Sequence, residues 1–189
     1  MDVLLRATEA DPYSHIVAGL LLASGRREIE IMNVCSGRAR FEPHGDRSVW
    51  FEGQAKKPTT EASGYVVPLL CDSGLFFNAL EVLKSKRGDV SGLTNAQLKR
   101  KMNGNLTSMQ LRRAFPTLPD GAHYHTLRSL YFHFVDRLYV HTFAYNELAR
   151  LLLGHGSRDQ SHPYTAVRLE GVDALKGTLG VLSLGRESE

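Results

Sequence analysis

The sequence predicts an α+β fold, mainly helical, with a small antiparallel three-stranded sheet near the N-terminal third. Three observations carry this. Apolar residues recur at helical spacing before residue 24 and again after Pro68. Between these blocks lie the short stretches "RARF", "SVWFEG" and "GYVVPL", rich in β-branched and aromatic residues and separated by Pro, Gly and Asp. The chain has no internal repeat and no low-complexity tract. The order helices, sheet, helices therefore reads as one domain, with the sheet inserted at one edge.

The elements follow in order. "YSHIVAGLLLA", residues 13–23, reads as a buried helix with Ile16, Val17, Leu20 and Leu21 on one stripe. Ser24-Gly25 breaks it, and a second helix opens at "RREIEIMNV" with acids in its first turn. The sheet spans roughly 38–68, with "QAKKPTTEAS" as the polar turn before its last strand. "DSGLFFNALEVLKSKR" is an amphipathic helix ended by Gly88. "TNAQLKRKMNG" is another, with Thr94 or Asn95 as N-cap and Gly104 as terminator. "SMQLRRAF" is a third and "PTLPDG" a loop. "AHYHTLRSLYFHFVDRLY", with Leu127 and Leu130 on its buried stripe, and "TFAYNELARLLLG" complete the helices.

Composition narrows the class. With 42% hydrophobic and 23% charged residues over a length of 189, the chain is an ordinary globular one with ample material for a core. A net charge of +3 permits an anionic partner without demanding one. No run of eighteen apolar residues occurs, and the start "MDVLLRATEADPYSH" has no signal-peptide core. Cys35 and Cys71 form no metal-ligand spacing and read as reduced thiols, so a cytoplasmic, nucleoid-associated protein is expected.

The residues able to do chemistry are mostly cationic. Arg26 and Arg27 sit where a helix starts, which its dipole disfavours. They imply either a nearby anion or ion pairs with Glu30 and a neighbour. Lys56 and Lys57 fall at a hairpin tip, a place from which a lysine can protonate a leaving oxygen. His125 and Arg128 are three apart and share a helix face. His155 follows Gly154 at a helix end, and Tyr164 comes nine residues later. No paired carboxylates of a two-metal nuclease stand out, and neither a G-x-S-x-G nor a Walker A motif occurs. Guanidinium donors, histidines, a lysine and one oxygen nucleophile suit a phosphodiester and its charged transition state.

The order of these residues resembles that of the tyrosine recombinases, whose catalytic fold is shared with type IB topoisomerases. "ASGRREIE" is similar to that family's first arginine motif, placing the role on Arg27, or on Arg26 one residue earlier, with Glu30 as supporting acid. "GQAKK" resembles the hairpin lysine, best fitted by Lys56 with Lys57 beside it. "HTLR" resembles the His-x-x-Arg motif and "LLLGHGS" the Leu-Gly-His motif, giving His125, Arg128 and His155; Tyr164 falls at the nucleophile's place. "FEGQAKK", "YVVPLLCDS", the long helical stretch over 71–120 and "LGHGSRDQSHPYTAVRL" look closest to the telomere resolvases, or protelomerases, which reseal cut telomere junctions as hairpins. Some resolvases look to carry Lys where this chain has His125.

The resemblance implies a DNA breaking and rejoining enzyme acting through a 3′-phosphotyrosyl intermediate without cofactor or metal. Its expected partner is double-stranded DNA with a palindromic site, bound as a dimer, with no membrane involvement. The alternatives are an ordinary integrase, a binding module without chemistry, and a topoisomerase. Residues 1–189 are expected to form one catalytic domain lacking the family's N-terminal DNA-binding regions, with a disordered tail over 180–189.

Overall fold

A computed structural model describes residues 12–55, 64–103, 108–116, 118, 120–153, 176–182 and 184. Helix α1 (Tyr13–Ser24) and helix α2 (Glu28–Cys35) precede the strands β1 (Arg40–Gly45), β2 (Ser48–Glu52) and β3 (Gly64–Pro68). The helices α3 (Ser73–Arg87), α4 (Asn95–Asn103), α5 (Ser108–Ala114), α6 (Tyr124–Leu138) and α7 (Tyr145–Leu153) follow. The α+β class and the order of elements match the sequence expectation.

Helix α1 is the axis of the fold. It carries no Asp, Glu, Lys or Arg, and ten of its residues, from Ser14 to Ser24, are buried. The expected stripe of Ile16, Val17, Leu20 and Leu21 is therefore only part of its buried surface, because α2, α3, α5 and α6 all pack against it. Ala18, Gly19 and Ala23 keep the other faces small enough for close approach. Gly25 closes the helix in the left-handed conformation, φ 63°, and its N–H donates to Leu21 O at 2.8 Å. Position 25 must also be glycine for space: a Cβ there would lie 2.1 Å from Cδ1 of Tyr131.

The sheet is antiparallel in the order β1-β2-β3. Pro43 sits on the edge strand β1, where its missing N–H does no harm, and the register shifts between Pro43 and Gly45. Strand β2 alternates as a half-buried strand should: Val49 and Phe51 are fully buried while Ser48, Trp50 and Glu52 are half-buried. Phe41 joins Phe51 at 4.8 Å and Phe76 of α3 edge-on at 5.0 Å, fixing the sheet to the helical core.

Helix α6 bridges two apolar clusters. Leu127 belongs to the α1-centred core, whereas Tyr131, Phe132 and Val135 meet Leu148 and Leu152 of α7. Leu130 is half-buried, so the stripe expected on this helix runs through Leu127 and Tyr131 instead. The tail expected to be disordered from residue 180 begins with paired chain: Val140 N–H donates to Gly180 O at 2.8 Å, Leu182 N–H donates to Val140 O at 2.9 Å, and Leu182 is buried. The apolar Leu179 and Leu182 pack on the α6–α7 cluster. Residues 185–189 lie outside the described ones. Cys35 and Cys71 are free thiols, half-buried and buried.

Candidate active site

Two adjacent arginines leave the α1–α2 turn in different directions. Arg26 turns inward and is 1% exposed. Its Nε donates to Ser24 O at 3.2 Å and its Nη2 to Leu152 O. Its guanidinium lies 5.4 Å from the ring centre of Phe51 and 5.1 Å from that of Tyr65. Burial, with the like charge of Arg128, lowers its pKa to about 10 against a smaller opposing pull from Glu30, so it remains charged at neutral pH. Arg27 ends at the surface of a cavity and pairs with Glu30, Nη1 to Oε1 at 2.8 Å. Of the two sequence readings for this pair, the ion pair with Glu30 is present, on Arg27 alone.

Arg128 comes from the middle of α6 and is also 1% exposed. Its Nη1 donates to Gly25 O at 2.6 Å and its Nη2 to Leu153 O. Leu152 and Leu153 are the last described residues of α7, and Arg26 and Arg128 donate to their carbonyls. The sequence continues directly into Gly154-His155. The two arginines thus hold the last described residues of α7, directly before the Leu-Gly-His motif in sequence.

Glu30 ties these parts together. Its side chain is wholly buried. It accepts from Arg27 N–H at 2.8 Å and from Ala55 N–H at 3.2 Å, and it lies 3.9 Å from Arg128 Nη1. Burial pushes its carboxyl pKa up, but Arg26, Arg128, Arg27 and the Arg27 amide together outweigh this and hold it below the ordinary value. Ala55 immediately precedes Lys56, so the supporting acid named from sequence also tethers the hairpin that carries the expected general acid.

Arg26, Arg27, His125 and Arg128 all line one cavity of about 540 Å³. His125 is exposed, one turn before Arg128 on α6. The same cavity is also lined by residues the sequence did not single out as a site: Glu28, Lys99 of α4, and His123 just before α6. Leu98, fully buried, anchors α4 against α2 and so brings Lys99 to this wall. Burial pushes the Glu28 carboxyl up, and Lys99 and His123 offset only part of that push. Lys56, Lys57, His155 and Tyr164 lie outside the described residues, so the structure brings together Arg26, Arg27, His125 and Arg128 from the predicted set, with Glu30 paired to Arg27 beneath them.

Residues 1–166 match the family model described as the telomere resolvase ResT/TelK catalytic domain. The chain belongs to this family. Solved structures agree in fold. A protelomerase TelA covalently complexed with substrate DNA is 23% identical, with a TM-score of 0.68 over 89% of this chain and 56% of that one. A TelA variant complexed with DNA hairpin product gives 22% identity and a TM-score of 0.72 over the same shares, 89% and 56%. Protelomerase TelK complexed with substrate DNA gives 22% and 0.64, covering 80% of this chain and 31% of that one. This resolvase domain therefore spans just over half the length of the TelA structures. No curated protein matches it. Among its described residues no helix is long and apolar enough to cross a membrane.

Proposed function

We propose that the chain breaks and rejoins double-stranded DNA as a telomere resolvase, leaving covalently closed hairpin ends. The observation that carries this is the convergence of Arg26, Arg27, Arg128 and His125 on one cavity, with the buried Glu30 paired to Arg27 and near Arg128. Guanidinium groups so placed suit the non-bridging oxygens of a scissile phosphate and the charge that grows on them. Membership of the telomere resolvase family, and neighbours caught with substrate DNA and hairpin product, support the same reading.

In this reading the Tyr164 oxygen attacks phosphorus and its proton passes to a histidine. The bond from phosphorus to the 5′-oxygen breaks, and Lys56 protonates that oxygen. The product is a 3′-phosphotyrosyl enzyme with a free 5′-hydroxyl. Attack by the 5′-hydroxyl of the complementary strand then expels Tyr164, which regains a proton, and seals a hairpin. His155 helps to hold the phosphate; Glu30 holds Arg27 and the hairpin root, with Arg26 and Lys57 as neighbours of the reacting groups. The partner is a palindromic duplex bound by two copies of the chain in the cytoplasm. The test is an intact palindromic duplex incubated with the protein and resolved on a denaturing gel. Strands of doubled length, each half-site continuous with its complement, support the resolvase reading. Products exchanged between two duplexes contradict it and favour an integrase.

A further inference from the structure

The charge of the chain is unevenly placed. Residues 90–119 hold five of the 23 Lys and Arg and none of the 20 Asp and Glu, which leaves 18 cations against 20 acids elsewhere. The net positive charge therefore belongs to this stretch, which carries α4 and α5. Each of these helices is docked by one fully buried leucine, and the cations follow it directly in sequence. Lys99, Arg100 and Lys101 come after Leu98, and Arg112 and Arg113 after Leu111. Both leucines enter the same apolar cluster, with α4 packed on α2 and α5 on α1. All five cations are exposed. Among the described residues only Arg112 of the five forms a salt bridge, to Asp120 at 2.9 Å, and Asp120 is itself 96% exposed, so water screens the pair.

The helix dipole accounts for part of this pattern, because Arg100, Lys101, Arg112 and Arg113 lie in last turns. It does not account for first turns that lack an acid in both helices. The basic end of α3 shows the contrast. There Lys84 pairs with Glu81 at 2.7 Å, and the guanidinium of Arg87 lies 4.9 Å from the ring centre of Tyr13. Cations gathered without acids repel one another, and a polyanion relieves that repulsion. One end of the stretch reaches the cavity, where Lys99 lines the same space as Arg27 and Arg128.

We propose that α4 and α5 form a further DNA contact, a surface that binds the phosphate backbone of the duplex flanking the scissile phosphate. The proposal rests on the proposed action on DNA and gives it a second surface besides the cavity. Residues 104–107 alone separate the two helices, and so short a connection makes consecutive helices neighbours. Their cations therefore serve one partner. Backbone contacts carry no sequence information; they supply affinity and fix the position of the duplex, while the cavity does the chemistry.

The experiment measures binding of a labelled duplex by the full chain over a range of salt concentrations, and adduct formation on a nicked duplex at saturating DNA. Arg100→Gln/Lys101→Gln and Arg112→Gln/Arg113→Gln are the two test variants, with Gln chosen to keep helix propensity. Lys84→Gln/Lys86→Gln is the control for a bare change of net charge. Lys99 is left in place because it lines the cavity. Each test variant should flatten the plot of log affinity against log salt by about two units and weaken binding about tenfold at physiological salt. The control should match wild type in slope. Adduct formation at saturating DNA should stay within about twofold of wild type in all three, which also shows that they fold. An unchanged slope in both test variants overturns the proposal. So does a loss confined to one helix, or an equal loss in the control. A wild type that binds DNA but forms no adduct contradicts the cleavage reading and leaves the slopes to decide this one. A wild type that does not bind duplex DNA overturns both.

Discussion

Glu28 and Glu30 stand two residues apart on α2, and their surroundings act in opposite directions. Glu30 is fully buried among Arg26, Arg27 and Arg128, and its carboxyl is held below its ordinary pKa. Glu28 lines the cavity with Lys99 and His123 nearby, and burial raises its carboxyl pKa. The difference separates an inner layer from an outer wall. In the inner layer one carboxylate lies among three guanidinium groups, two of which also donate to backbone carbonyls of the α1–α2 turn and α7. On the cavity wall Lys99 is exposed, so its charge is available to a phosphate backbone.

The largest effects should come from the inner layer. Arg128→Ala removes the donors to Gly25 O and Leu153 O and the buried charge 3.9 Å from Glu30. Breaking such a buried pair costs about 3–5 kcal/mol. Denaturant unfolding should report that loss, and adduct formation should vanish. Gly25→Ala should cost about 2–4 kcal/mol, through the left-handed backbone and through collision with Tyr131.

The two carboxylates should also respond to acid with opposite signs. The folded-state pKa of Glu30 lies below the ordinary 4.5, so its stabilising contribution is full above that value. It is lost as pH falls from 4.5 through the folded-state value. Glu30→Gln should therefore flatten the acid limb of stability against pH while lowering stability at neutral pH. The folded-state pKa of Glu28 is raised, so ionising it costs stability at neutral pH, and Glu28→Gln should be neutral or slightly stabilising there. A matching loss in both variants at neutral pH would erase the distinction between the layers.

The smallest effect on stability belongs to Lys99. Lys99→Ala should stay within about 0.5 kcal/mol of wild type. It should nonetheless reduce the salt dependence of DNA binding by about one unit of slope. An unchanged slope would remove α4 from the DNA-facing wall.

Much of this was legible in the sequence, for definable reasons. The elements were, because their periodicities, breaks and caps are local: Gly25 and Gly88 end helices where read, and Thr94 caps α4, its Oγ1 accepting from Gln97 N–H at 3.3 Å. Arg27, His125 and Arg128 were legible through short motif spacings. The different surroundings of Arg26 and Arg27 were not. They depend on Phe51, Tyr65 and Leu152, which are distant in sequence and have no local signal. Lys99 was hidden for the same reason: only the packing of α4 on α2 brings it to the cavity. The all-round burial of α1 was hinted at by its uncharged composition, but its neighbours follow from tertiary arrangement alone.

The most direct test of the account is covalent capture on a nicked palindromic substrate, in which the released 5′-hydroxyl strand diffuses away and the phosphotyrosyl adduct accumulates. Wild type and Tyr164→Phe are compared on a denaturing gel. The account predicts a shifted protein–DNA band with wild type and none with Tyr164→Phe. A band of equal strength in both would remove Tyr164 as the nucleophile and contradict the mechanism.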